Sequence, residues 1–159
     1  MAALFGPAKD STANDFKRGN CSLFVVLKQI STGREFQVVC NHFHWNPQRD
    51  FVKLAQAINA CKHARADLPL LFCGDLNSHP DSNVYGYLTS KDAKVVPYRK
   101  VQKKKIIFYN EVQEKLQSPL KGCFKSAYAN YCKLSHPDFT AYSIDCKHAI
   151  DYIMHTDHF

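Results

Sequence analysis

No apolar run in this 159-residue chain approaches the roughly 20 residues a membrane helix needs, and Met1 to Phe5 is too short for a secretory core. We therefore expect no membrane partner and an intracellular protein, cytoplasmic with the nucleus as a second compartment. None of the seven cysteines forms a Cys-x-x-Cys pair, so finger-type structural zinc is not expected. Their odd number and their places inside apolar runs predict reduced core residues and no disulfide-linked partner. No internal repeat or low-complexity tract is present, which excludes a solenoid. Glutamate is scarce, with only Glu35, Glu111 and Glu114.

What is present fits one domain. With 45% hydrophobic and 22% charged residues the chain can bury a core, which excludes disorder. Twenty-one Lys and Arg against fourteen Asp and Glu leave +7, a surplus that attracts phosphate-rich partners and makes nucleic acid a candidate. The mixed, polar residues 1 to 19 predict a loop or frayed end.

Cys21 to Gln29 is a β-branched apolar run, Ser31 to Arg34 breaks it, and from Glu35 to His42 the residues Phe36, Val38, Cys40 and His42 share one face, predicting a β-hairpin. Asp50 is the expected N-cap of a helix in which Leu54, Ile58 and Cys61 recur, closed by Lys62, His63 and Arg65. Leu68 to Cys73 then predicts a buried strand. A strand–helix–strand crossover makes its strands parallel, so His42 and Asp75 should lie at one sheet edge, beyond which ligands of open α/β sheets sit. Asp81 or Ser82 can cap a short helix through Leu88. Ser90 to Pro119 is polar and basic, around Lys103 to Lys105 and an amphipathic piece from Phe108 to Leu116. Two short strands are expected later, Phe139 to Ser143 and His148 to His155.

Several residues could carry chemistry. Asp75 and Asn77 follow a buried strand and offer hard oxygens of the kind magnesium prefers, while an amide can also hold a phosphate oxygen; equally, Gly-Asp can end a strand and Asn77 turn the chain. His42 and His44 flank Phe43 at a strand end, where they could chelate a metal, bind phosphate or serve as structural histidines. Asp151 lies in the apolar run 149–154, where an unpaired carboxylate would cost several kcal/mol. It needs a partner, a histidine or backbone amides. The lysine run 103–105 can track phosphates or be a solvated loop, and the tyrosines can stack bases or pack.

Together these segments resemble the endonuclease/exonuclease/phosphatase superfamily, within it the carbon-catabolite-repressor type of deadenylase with its nocturnin, Angel and 2′-phosphodiesterase relatives. Cys40 to Pro47 followed by Val52 to Gln56 is similar to that branch's histidine-ended strand, Trp and Pro, and V-K-L-x-Q helix. Phe72 to Ser82 is similar to its G-D-[LF]-N-S-x-P-D-S element, and Phe124 to Tyr128, Phe139 to Tyr142 and Ile150 to Ile153 match later motifs in order. The resemblance implies part of a two-sheet α/β sandwich of the DNase-I type, a mixed sheet with flanking helices. It implies a Mg²⁺-dependent phosphodiesterase, with Mn²⁺ as the alternative ion, acting as a 3′–5′ exoribonuclease on RNA. Asp75 would orient or activate water and touch the metal indirectly, Asn77 would hold the scissile phosphate, His42 would contact it and Asp151 would orient a catalytic histidine. Asn20, Trp45 and Pro47 would contact substrate.

Departures shape the expectation. No glutamate sits in the family's Leu-Gln-Glu setting, Thr156-Asp157-His158 follows Asp151 too closely to be its late Ser-Asp-His, and Cys146 stands near where deadenylases carry an aromatic. The chain thus resembles the C-terminal half of a catalytic domain, with the first half and final strands outside it and weak or no activity expected alone. An exposed apolar sheet face is expected, covered by the other half or by a protein partner. The alternative function is a non-catalytic RNA-binding or interaction module.

Overall fold

The computed structural model describes residue 16 and residues 18–93, 118–129, 131, 136–144 and 146–157. The lysine run 103–105, the piece 108–116, Cys132 and His158 lie outside the described residues. β1 (Ser22–Lys28) and β2 (Glu35–His42) form the expected antiparallel hairpin. Gly33 turns it with a φ of 71°.

A 3-10 turn (Pro47–Arg49) precedes α1 (Asp50–His63). Asn46 caps the 3-10 turn, its side chain accepting from the Gln48 amide, whereas Asp50 is the first residue of α1 and so is not its cap. The Asp50 carboxylate instead accepts from the Asn83 side chain at 2.7 Å, tying α1 to α2 (Asn83–Thr89). Ser82 caps α2 as expected, accepting from the Tyr85 amide.

β3 (Leu70–Asp75) runs parallel to β2, with His42 opposite Asp75. β7 (Asp151–His155) pairs antiparallel with β3 and carries the two-residue β4 (Lys125–Ser126) on its far side, giving the order β1-β2-β3-β7-β4. The strand expected from His148 to His155 is two strands in different sheets. Cys146–His148 (β6) pairs with Ala141–Ser143 (β5), and the chain breaks at residues 149–150 because Thr140 Oγ1 takes the Ile150 and Asp151 amides while Leu76 donates to the Ile150 carbonyl.

Both helices cover one sheet face. Leu54, Ile58, Val84 and Leu88 pack on Val39, Leu70, Phe72, Tyr152 and Met154, all buried. Alternation along the strands puts the other residues on the opposite face, which no described helix covers. Leu23 there is 62% exposed, Leu27 43% and Ile153 44%, flanking the half-buried Val25, Val38 and Leu71. Phe36, Val38, Cys40 and His42 do share a face, and it is this open one; Gln37, Val39 and Asn41 point to the core. Consequently the expectation of core cysteines holds only for Cys61: all five described thiols are free, but Cys21 and Cys40 are exposed.

Candidate active site

At the carboxyl ends of β2 and β3, His42 Nε2 lies 3.6 Å from Asp75 Oδ2. The imidazole is 71% exposed and the carboxylate 29%, so an open ring leans on a sheltered acid. Asp151 enters from β7 directly opposite Asp75. One histidine and two aspartates thus meet at a single sheet edge, the juxtaposition the crossover rule predicted for the first two.

Burial pushes the Asp75 carboxyl above the usual carboxylate range, and the Asp151 charge adds to this. The Asn77 amide, bound to Oδ1 at 2.7 Å, and the charges of His42 and Lys53 act the other way. Oδ1 is therefore committed to the turn, and Oδ2 is the oxygen beside His42.

Asn77 sits at a φ of 47°, a left-handed turn that brings its side chain back over the edge. Its amide nitrogen donates to the Phe43 carbonyl at 2.9 Å. An amide nitrogen carries two N–H groups, so one remains for an oxygen ligand. Tyr152 fixes the turn from below: its buried hydroxyl contacts the Ser78 and Ala149 carbonyls, both at 2.8 Å, linking the Asn77 turn to the approach of β7.

Asp151 differs from its expected setting. It is half-buried rather than enclosed, its backbone amide is held by Thr140, and among the described residues no histidine bonds its carboxylate. The strand break turns it to the edge, which is why the apolar run around it misleads.

His42 and His44 do not act as a pair. His44 is buried, its amide donates to Gln56 Oε1, and its ring lies beside Trp45 rather than against Asp75. Asn20 uses its side chain as a clamp: its nitrogen donates to the His42 carbonyl at 2.8 Å and its oxygen accepts from Gln56 at 3.2 Å. Trp45 is 69% exposed, and Pro47 stands exposed at the start of the 3-10 turn.

Sequence reasoning missed two residues. Lys53 is buried, and its Nζ donates to the Asn77 carbonyl at 2.6 Å; burial lowers its pKa, against the pull of Asp50 and Asp75. Gln56 joins Asn20 to His44. Both lie on the helix face turned to the sheet, and a lysine inside that apolar stripe was the available signal. Among the described residues no group of three or more His, Cys, Asp or Glu is placed to hold a metal ion, and no helix is long and apolar enough to cross a membrane. Asp157 forms an ion pair with Lys125 at 2.6 Å, away from this edge.

No protein-family profile matches the chain. Carbon catabolite repressor protein 4 homolog 3 of Arabidopsis thaliana is 30% identical over 91 residues, covering 52% of this chain and 20% of the relative. 2′,5′-Phosphodiesterase 12 of Mus musculus is 26% identical over 136 residues, covering 81% and 21%. The chain therefore spans about a fifth of the length of these relatives. The human Nocturnin catalytic domain with bound sulfate superimposes with a TM-score of 0.62 at 19% identity, covering 89% of this chain and 43% of that domain. The fold is thus part of a DNase-I-like α/β domain.

Proposed function

We propose, for a chain that resembles the carbon-catabolite-repressor branch of the endonuclease/exonuclease/phosphatase superfamily, that its edge site serves metal-dependent phosphodiester hydrolysis at RNA 3′ ends. The observation that carries the reading is the register that sets His42, Asp75 and Asp151 side by side, with Asn77 folded over them.

The ion expected is Mg²⁺, with Mn²⁺ as the alternative. Asp151 supplies a hard oxygen, with Asp75 beside it to meet the ion through a bound water; a cation would relieve the repulsion between the two carboxylates, and Mg²⁺ commonly takes only one or two carboxylates, filling its shell with water and substrate phosphate. When bound, the ion supplies charge neutralisation for that phosphate. The protein's own groups do the rest. The raised pKa makes Asp75 a better proton acceptor, and Oδ2 is positioned to orient a water and take its proton. His42 presents an exposed N–H to a phosphate oxygen, Asn77 offers its second amide hydrogen, and Lys53 braces the turn through the Asn77 carbonyl. Trp45 and Pro47 stand where a terminal base could rest.

The test is shortening of 5′-labelled RNA by the purified chain. Weak cleavage that needs Mg²⁺ and disappears in Asp75→Ala is expected; cleavage indifferent to both sinks the proposal. A second reading, an RNA-binding module without catalysis, is favoured by the +7 charge and by a site lacking a third metal-holding side chain among the described residues. RNA binding that falls steeply with salt but ignores EDTA and Asp75→Ala would select it.

A further inference from the structure

The open sheet face carries a pair of thiols that the edge site does not use. Parallel register sets Cys40 of β2 directly beside Cys73 of β3, two residues before His42 and Asp75 on their strands. Residues two apart on a strand share a face, so both thiols stand on the face that no described helix covers. Both are free, Cys40 exposed and Cys73 half-buried. Burial, the Cys40 charge and a hydrogen bond between the two thiols push the Cys73 thiol above its usual range. Their row ends in Leu23 on β1 and Ile153 on β7, both exposed, so solvent reaches the pair from that side. Neighbouring strands lie about 4.7–4.9 Å apart and a disulfide joins Cα atoms about 4.4–6.8 Å apart, so the pair can be bridged with the strands in place.

The other described thiols are placed differently. Cys61 is buried, Cys21 lines a hollow with Phe43 and Gln56 on the helix side, and Cys123 donates its S–H to the Pro119 carbonyl at 3.3 Å. We propose that Cys40 and Cys73 form an oxidisable dithiol that closes to an intramolecular disulfide when a peroxide reaches the open face. Cys40, the more exposed, meets the oxidant first: its sulfur takes one peroxide oxygen and becomes a sulfenic acid, and the other oxygen leaves as water. The Cys73 sulfur then attacks the Cys40 sulfur. The S–S bond forms as the S–O bond breaks, and the second oxygen leaves as water with the Cys73 proton. Two thiols thus lose two electrons and two protons, and one peroxide becomes two waters. The bond staples β2 to β3 just below the row that bears His42 and Asp75, and a reducing thiol reverses it. None of these steps depends on the edge site hydrolysing RNA.

The experiment treats the reduced, purified chain with hydrogen peroxide at low protein concentration and reads its intact mass and a non-reducing peptide map. The chain should lose the mass of two hydrogens as a monomer, with the Cys40 peptide joined to the Cys73 peptide, and dithiothreitol should restore both. Dimedone, which captures sulfenic acids, should label Cys40 when present during oxidation and suppress the link. Cys40→Ser and Cys73→Ser should each abolish the link, while Cys21→Ser and Cys123→Ser retain it. In Cys73→Ser, Cys40 should accumulate as the dimedone-labelled sulfenic acid. The wild-type map and the dimedone trap decide the matter whether or not a variant folds. Cys40 paired with another cysteine or with a second chain, or oxidised to sulfinic acid while Cys73 stays free, would overturn the proposal.

Discussion

Gly74 is the residue on which the geometry of the reactive edge leans most, and Gly74→Ala should break it. Its φ is 118°, a backbone conformation L side chains rarely adopt, and a Cβ there would run into the Asn41 carbonyl oxygen and lie 3.0 Å from the Asn41 carbonyl carbon and amide nitrogen. These are backbone atoms of the neighbouring strand, so no side chain can swing aside. Restoring ordinary contact with that oxygen requires β2 and β3 to part by more than about 1 Å between residues 41 and 74, since non-bonded heavy atoms rest at about 3.5 Å or beyond. Backbone strain costs about 1–3 kcal/mol and overpacking a similar amount, giving about 3–5 kcal/mol together. Against a total stability of about 5–15 kcal/mol that is a large share. At about 2–4 °C per kcal/mol for a chain of this size, the melting temperature should fall by about 10 °C. Circular-dichroism melting measures it, and the same parting moves His42 from Asp75, so cleavage should fall too. A melting temperature within about 2 °C of wild type would refute the reasoning.

Other perturbations follow from the same contacts. Gln56→Leu leaves the His44 amide without its acceptor and should cost about 1–3 kcal/mol in urea unfolding; an unchanged midpoint would count against the clamp. Burial lowers the pKa of His44 and, with His148, that of His79, so the folded chain binds fewer protons than the unfolded one as pH falls below about 6.5. Stability should therefore drop between pH 7.5 and 5.5, and equal melting temperatures at the two would contradict both shifts. Asp75 has the opposite sign: its raised pKa means the ionised form costs stability above the usual carboxylate range, so Asp75→Asn should melt slightly higher at pH 7 while losing cleavage. The open apolar face should make the chain associate in sedimentation runs, less so with Leu23→Lys and Ile153→Lys; a wild-type monomer at high concentration would argue against it.

Much of the site's placement was readable because it follows from two short-range rules. Period-2 alternation marks β2, a 3.6-residue period marks α1, and the handed crossover brings His42 to Asp75 without further information. What stayed hidden depends on contacts between distant segments. Nothing local says that β7 lies between β3 and β4, or that Thr140 interrupts the apolar run and turns Asp151 to the edge. His42 and His44 look equivalent in sequence, yet one leans on a carboxylate and the other is buried among cations. Lys53 is hidden in the sequence because a lysine in a helix is usually solvent-exposed, and its burial follows from the Asn77 carbonyl together with the charges of Asp50 and Asp75.

The strand order also governs when the site comes into being. β1, β2, α1 and β3 are neighbours along the chain and can assemble through short loops, whereas β7 must close a long one, as the Leu70–Thr156 bond across 86 positions illustrates. Loop closure of that kind is slow and precedes its reward. A newly made chain would hold His42 and Asp75 together well before Asp151 arrives, so folding intermediates have an incomplete acidic edge and binding competence should appear only in the last kinetic phase.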